Sequence, residues 1–389
     1  MNNEVMQKLC RAGRTAVGTG LAAGIAWLLL SRSGAVAVGI REGLATCGTV
    51  VIPSLFPFLI FSGLLGSTEL GEWLAAPLRP LCRCLFHLPP ETGGAVLMGA
   101  IGGYPAGARA IASLLESGRI SHTTARRMLC FCVNAGPAFV ISTIGVALYG
   151  SFSVGAGLLA AHLGASVLVG AFTAGAREEA HSPPLRRYRP LSTALVDSVS
   201  GAARSMLTIC AFVAAFSGMR VLLLESGALP RLCTGLQRLW PVPEGTAFYT
   251  ALIRGLLEVT DGCMAAASLP RETAFVLTAF LLSFGGVSVL FQTASAFGQL
   301  PMSFGLFFFS RLANGCVAAC LAYGIYRCGL LGEEAGAALV RPVMGGGAAG
   351  IVGGLTLIGM CSIVLLTVVI GGISTKNEVA YGKKADEMI

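Results

Sequence analysis

GAIGGYPAGARA, residues 99–110, and FCVNAGPAF, residues 131–139, decide how this chain folds. Both place Gly, Pro and hydrogen-bonding side chains in the middle of sequence apolar enough for a membrane interior. A continuous helix satisfies its own backbone there, so a break is tolerated only where protein or a watery cavity receives the freed N–H and C=O groups. Two breaks in succession predict half of a transport site inside a helical membrane protein.

Composition sets the class. Of 389 residues, 54% are hydrophobic and 12% charged, against about 25% charged in an ordinary soluble domain. The expectation is an all-α, polytopic membrane protein whose first partner is the lipid bilayer. The formal charge of +8 comes from residues scattered over short loops, not from a basic patch or arm, so no nucleic-acid partner is expected. Most of the 13 Cys lie in apolar segments, where Cys behaves as a small hydrophobe. Cys82/Cys84 and Cys130/Cys132 lack the spacing of a zinc site, and neither a metal nor another cofactor is expected. No HExxH, no GxSxG and no GxxxxGK[ST] occurs, and His87, His122, His162 and His181 are scattered. The chain therefore does not read as an enzyme, and a primary pump would need another subunit to bind ATP.

Working outward, a basic N-terminus precedes an apolar run at 15–31, read as a retained first helix. Residues 43–66 form a span carrying Pro53 and Pro57, which should kink or unwind it. Residues 67–88 suit an interfacial amphipathic helix. Residues 94–115, interrupted at GGYPAGAR, form either a re-entrant hairpin of two half-helices or a kinked span. Residues 128–149 break at Asn134–Pro137, and 153–175 form an ordinary span whose His162 reads as packed or interfacial. The Arg- and Pro-rich segment 176–190 is a connector. A span at 202–224, an amphipathic segment at 225–240, an interrupted stretch at 246–269 and a broken run at 273–297 follow. Further spans at 302–326 and 348–372 and a polar tail bring the total to about eight spans plus re-entrant or broken helices.

The second half repeats the plan of the first. FCVNAGPAFVIST laid over FLLSFGGVSVLFQ puts Asn134 on Ser283, Gly136 on Gly285 and Pro137 on Gly286. With one gap, Gly99 falls on Gly255 and Gly107 on Gly262. Few identities carry these matches; the shared order of segments carries the repeat. The predicted organisation is an N-terminal transmembrane segment at 1–42, repeats at 43–190 and 191–345, and a C-terminal helix and tail at 346–389. With re-entrant interruptions each half crosses an odd number of times, so the second copy is inverted. An N-terminus in the cytoplasm places 15 Lys/Arg inside and eight outside, the sign the positive-inside rule requires.

PSLFPFLIFSGLL, GAIGGYPAGARA, RRMLCFCVNAGPAFVISTIG and SFGGVSVLFQ, in that order, resemble the bacterial sporulation integral membrane proteins of the YlbJ type, within the nucleoside-recognition or Gate-domain group. The resemblance runs from about residue 43 to about residue 326. It implies a multipass protein of the bacterial cell membrane, a role in late spore formation, and carriage of dipicolinate across the outer forespore membrane. LEVTDGC, with Glu258 and Asp261 close together, departs from any pattern the resemblance supplies.

The chemistry of the breaks supports a carrier without that resemblance. Helix ends at the midplane offer N–H groups to anions and carbonyls to cations. The candidate substrate-binding residues are Gly102, Gly103, Tyr104, Pro105, Gly107 and Arg109 in the first stretch and Asn134, Gly136 and Pro137 in the first broken run. The second half adds Arg254, Glu258 and Asp261, then Ser283, Gly285, Gly286, Ser288 and Gln292. Tyr104 is available to stack on a ring, and Arg109 or Arg254 to meet a carboxylate. On one continuous helix Arg254 and Glu258 are i,i+4 neighbours and would pair. Arg311 and Asn314 are polar groups inside a later span. The expected function is secondary transport of a small organic anion, with a coupling ion as further partner; a homo-oligomer is compatible with it. A nucleoside carrier and a non-transporting assembly protein are the alternatives.

Overall fold

The computed structural model describes residues 15, 18–20, 23–175, 190–298, 300 and 302–331. Among them every regular element is a helix. Five helices are long and apolar enough to cross a membrane: Ser33–Ser67, Phe152–Phe172, Leu191–Glu225, Arg271–Phe297 and Phe304–Arg327. The expected first helix is only partly described, and the expected span at 348–372 lies outside the described residues.

Helix α1 (Ser33–Ser67) runs through the expected domain boundary at 42/43 without interruption, so the first segment and the first repeat are one element. Pro53 and Pro57 do not break it: a π-helical turn, Cys47–Val51, lies directly ahead of Pro53, and Pro57 sits inside the α-helical part that follows. Helix α9 (Leu191–Glu225) starts eleven residues before the span expected at 202–224 and lies antiparallel on α1. Small residues let the two backbones approach. A Cβ on Gly43 would lie 2.6 Å from Ser217 Oγ, and one on Gly63 would lie 2.9 Å from Ser198 Oγ. Cys47, Val51, Leu59, Met206, Ile209 and Val213 fill the seam.

The remaining helices form the main core. In the first half these are α2 (Glu69–Ala75), α3 (Arg79–Cys84), α4 (Gly93–Ile101), α5 (Tyr104–Glu116), α6 (His122–Leu129), the π-helical α7 (Ala138–Leu148) and α8 (Phe152–Phe172). In the second they are α10 (Ala228–Leu239), α11 (Thr246–Leu257), α12 (Val259–Ala266), α13 (Arg271–Phe284), α14 (Gly286–Phe297) and α15 (Phe304–Arg327). Long helix, amphipathic segment, helix pair, broken run and closing helix recur in that order in both halves. Trp27, Phe172, Leu207 and Phe309 are exposed on the outside, as a lipid-facing surface requires.

The two interrupted stretches are hairpins, which resolves the choice left open by GGYPAGAR. Helices α4 and α5 pack on each other, as do α11 and α12. A Cβ on Gly107 would lie 2.9 Å from the Cα of Gly99, and one on Gly262 2.0 Å from the Cα of Gly255. These glycines, paired between halves by sequence, are thus partners within each hairpin, because only a missing side chain lets two helices touch so closely.

Candidate functional site

Each hairpin turn rests on the broken run that follows it. Gly103, with φ +82°, ends the first turn, and a Cβ on Gly136 would lie 3.3 Å from its N. In the second half Gly285 and Gly286 take φ +86° and +77°, a region open to Gly at little steric expense. A Cβ on Gly286 would lie 2.8 Å from the carbonyl of Gly255. Between α11 and α12 the chain passes through Glu258 in an extended conformation, φ −143° and ψ 124°.

Three of the four breaks border one central cavity of about 50 Å³, at Gly102–Pro105, Gly136 and Glu258, and the helix after the fourth reaches it through Val289 and Gln292. Of the expected residues, Gly102, Gly103, Tyr104, Pro105, Gly136, Glu258 and Gln292 line it. Leu55 and Leu59 of α1 and Ile209 and Val213 of α9 also line it. Nothing in the sequence separates those four from ordinary lipid-facing residues.

Helix ends decide the cavity's electrostatics. The first turns of α5, α7 and α12 border it, each following a break. The N-termini of α5 and α7 have no side-chain cap, whereas α12 is capped by Glu258, whose Oε2 accepts the N–H of Asp261 at 2.7 Å. Uncapped N–H groups carry the positive end of the helix dipole.

The carbonyl ends of the broken runs are occupied. The fully buried Arg311 of α15 donates to the carbonyls of Val133 (2.6 Å), Phe284 (3.3 Å) and Ser283. Asn314 Nδ2 donates to the Cys130 carbonyl at 2.8 Å. From α8, His162 Nε2 accepts the N–H of Ala135 at 3.0 Å, which leaves the proton on Nδ1, 2.6 Å from Ser283 Oγ. Ser166 donates to Asn134 Oδ1 at 2.5 Å. Asn134 and Ser283 therefore stitch the breaks to α8 and α15 and do not face the cavity. Gly107, Pro137, Gly285, Gly286 and Ser288 do not line it either; the Ser288 hydroxyl is buried without a hydrogen-bond partner among the described residues. The Tyr104 hydroxyl donates to the Leu282 carbonyl at 2.7 Å, tying the first hairpin to the second broken run. Arg311 and Asn314 on α15 and His162 on α8 are the residues whose weight the sequence conceals: each sits in an apolar helix far along the chain from the breaks it holds.

Two wider cavities flank the centre. The first, about 680 Å³, is bordered by Arg109, Glu91, Arg119 and Asp197 and shares Leu59 with the central one. Arg109 has no ion pair or hydrogen bond among the described residues. The second, about 360 Å³, shares Val213, Glu258 and Thr260 with the centre and is bordered by Glu42, Arg220, Arg254 and Asp261. The three cavities follow α9 from Asp197 to Arg220, a rise of about 35 Å, close to the hydrocarbon thickness of about 30 Å.

The expected Arg254–Glu258 pair does not form. The helix ends at Leu257, so the i,i+4 relation is lost, and the hairpin brings Arg254 to Asp261 instead, Nε to Oδ2 at 2.7 Å with a second bond from Nη2 to Oδ1. Arg220 of α9 lies 3.5 Å from the same carboxylate and 2.7 Å from Glu42 of α1.

The chain is similar to the sporulation integral membrane protein YlbJ of Bacillus subtilis (strain 168), with 29% identity over 310 residues, covering 72% of this chain and 74% of the relative. No family model matches the chain, and no solved structure matches it. The similarity supports the YlbJ-type assignment, and with the apolar helices it makes this a multipass integral membrane protein.

Proposed function

We propose, from the likeness to a sporulation membrane protein, that this chain is a secondary carrier of a small organic anion, with dipicolinate during spore formation as substrate. One observation carries the reading: the N-termini of α5, α7 and α12, the first two without a side-chain cap, border one cavity set between two wider ones. Such termini are sites for carboxylates. Two matching hairpins, one from each half, meet the same cavity, and paired discontinuous helices of this kind are what alternating access is built from where the repeats are inverted. A central volume of about 50 Å³ compares with about 30 Å³ per water, so an aromatic dicarboxylate requires one hairpin to withdraw. Arg109, unpaired in the first flanking cavity, meets the anion on its way in.

A neutral nucleoside is the second reading, favoured by Glu258 and Gln292 in the cavity wall. One assay separates the two: uptake of labelled pyridine-2,6-dicarboxylate into proteoliposomes, with unlabelled dicarboxylates or nucleosides as competitors. Saturable uptake blocked by dicarboxylates alone is expected. Uptake of nucleosides in its place, or of neither, overturns the anion reading.

A further inference from the structure

We propose that Glu258 is the proton-binding residue of this carrier, reached from the cavity beside Arg220 and Arg254, and that an anion occupies the centre only while Glu258 is neutral; this rests on the carrier reading above. The two acids of the second hairpin have different surroundings. Asp261 is held by Arg254 and approached by Arg220. Glu258, 5% exposed, has no cation within ion-pair distance among the described residues.

The groups facing Glu258 are few. From α5 comes Tyr104, from the π turn of α1 Cys47, and from its own helix Asp261 and Cys263. The cations of α9 and α11, Arg220 and Arg254, are engaged by Glu42 and Asp261. Helices α13 and α14 bring no charged side chain to either cavity. Glu258 is thus the one acid bordering the central cavity among the described residues, and it also borders the second flanking cavity.

The coupling follows from charge. An ionised Glu258 and a carboxylate substrate in so small a space repel, and like charges at short range cannot both persist. A proton arriving from the second cavity forms the O–H bond on Glu258; the anion then takes the field of the uncapped N-termini, and opening on the other side releases both. The proton leaves a hydronium ion, which becomes water, as the Glu258 O–H forms, and returns to water on release; no other bond forms or breaks. The result is proton–anion symport.

The test uses the full chain in proteoliposomes with the membrane potential clamped at zero and pyridine-2,6-dicarboxylate as probe. Acid on the uptake side should concentrate the probe, by about tenfold per pH unit for one proton per anion. In E258Q that gradient-driven accumulation should vanish, and whatever exchange remains should lose its pH dependence; E258D should retain both. Wild-type uptake that ignores the gradient, or E258Q that still follows it, overturns the proposal. Failure of the wild type to move any solute overturns the carrier reading instead. Infrared difference spectra of detergent-purified protein, probe-bound minus probe-free, should gain a protonated-carboxyl band that E258Q lacks. A wild-type spectrum without that band overturns the proposal independently of transport.

Discussion

Arg311 donates to the carbonyl of Val133 at 2.6 Å across 178 residues of sequence. The same guanidinium reaches Ser283 and Phe284, so one buried side chain joins the broken runs of both halves. Removing it leaves three buried carbonyls without that donor, at about 1–3 kcal/mol for each unsatisfied group. Arg311→Met is expected to lower the thermal midpoint of the detergent-purified protein sharply. Arg311→Lys should rescue little of it, since an ammonium lacks the planar fork.

The hairpins depend on glycine contacts. A Cβ on Gly107 would sit 2.0 Å from the carbonyl oxygen of Cys132, a backbone atom that cannot rotate away. Gly107→Ala and Gly262→Ala should each destabilise by about 1–3 kcal/mol or more, the range for overpacking. Gly235→Ala, which meets nothing within 4 Å in α10, should be neutral or stabilising by up to about 1 kcal/mol. Thermal melts of the three variants side by side check the contrast.

Arg254 and Asp261 close the second hairpin with side chains 25% and 17% exposed. A double-mutant cycle with Arg254→Ala and Asp261→Ala should return a coupling of about 0.5–3 kcal/mol. Asp261→Ala alone should be the worse of the two, because it leaves Arg254 and Arg220 side by side. A coupling near zero would show the pair to be incidental.

Arg109 and Arg127 should separate function from stability. Arg127 donates to the carbonyls of Thr173 and Phe86 at 2.9 and 2.7 Å, so Arg127→Gln should lower the melting temperature. Arg109 faces the wide cavity without an ion pair among the described residues. Arg109→Gln should leave the melt in place and raise the KM for uptake several-fold, on the order of the 1.4 kcal/mol that corresponds to tenfold.

Tyr104→Phe removes one buried hydrogen bond, to Leu282, and should destabilise by about 1 kcal/mol. Because Phe keeps the ring, stacking on a solute is tested by Tyr104→Leu beside it: a loss of affinity in Tyr104→Leu that Tyr104→Phe does not share would show the ring to meet the substrate.

The residues that break a helix were legible because Gly and Pro act locally. GGYPAGAR and NAGP announced the turns, and the order of segments announced the repeat. Gly99, Gly107, Gly255 and Gly262, matched between halves by alignment, prove to be the crossing points of two hairpins. The Arg254–Glu258 pair failed because helical spacing holds only inside a helix, and the helix stops between them. From sequence, Asn134 and Ser283 can serve a ligand or a neighbouring helix equally well, since a polar side chain at a break can turn either way. His162, Ser166, Arg311 and Asn314 take up those polar groups from helices distant in the chain.

By itself the sequence determined a helical membrane protein of repeated plan with its helices broken at Gly and Pro, because composition and backbone preference need no tertiary context. Only the tertiary structure decided which polar groups are spent on holding the breaks together and which remain to border the cavity. Burial in an apolar interior forces each polar group to find a partner, and that partner is selected by packing between segments far apart in the chain. GGYPAGAR thus supplies a turn, NAGP a seat for it, and Glu258, left without a cation, the charge at the centre.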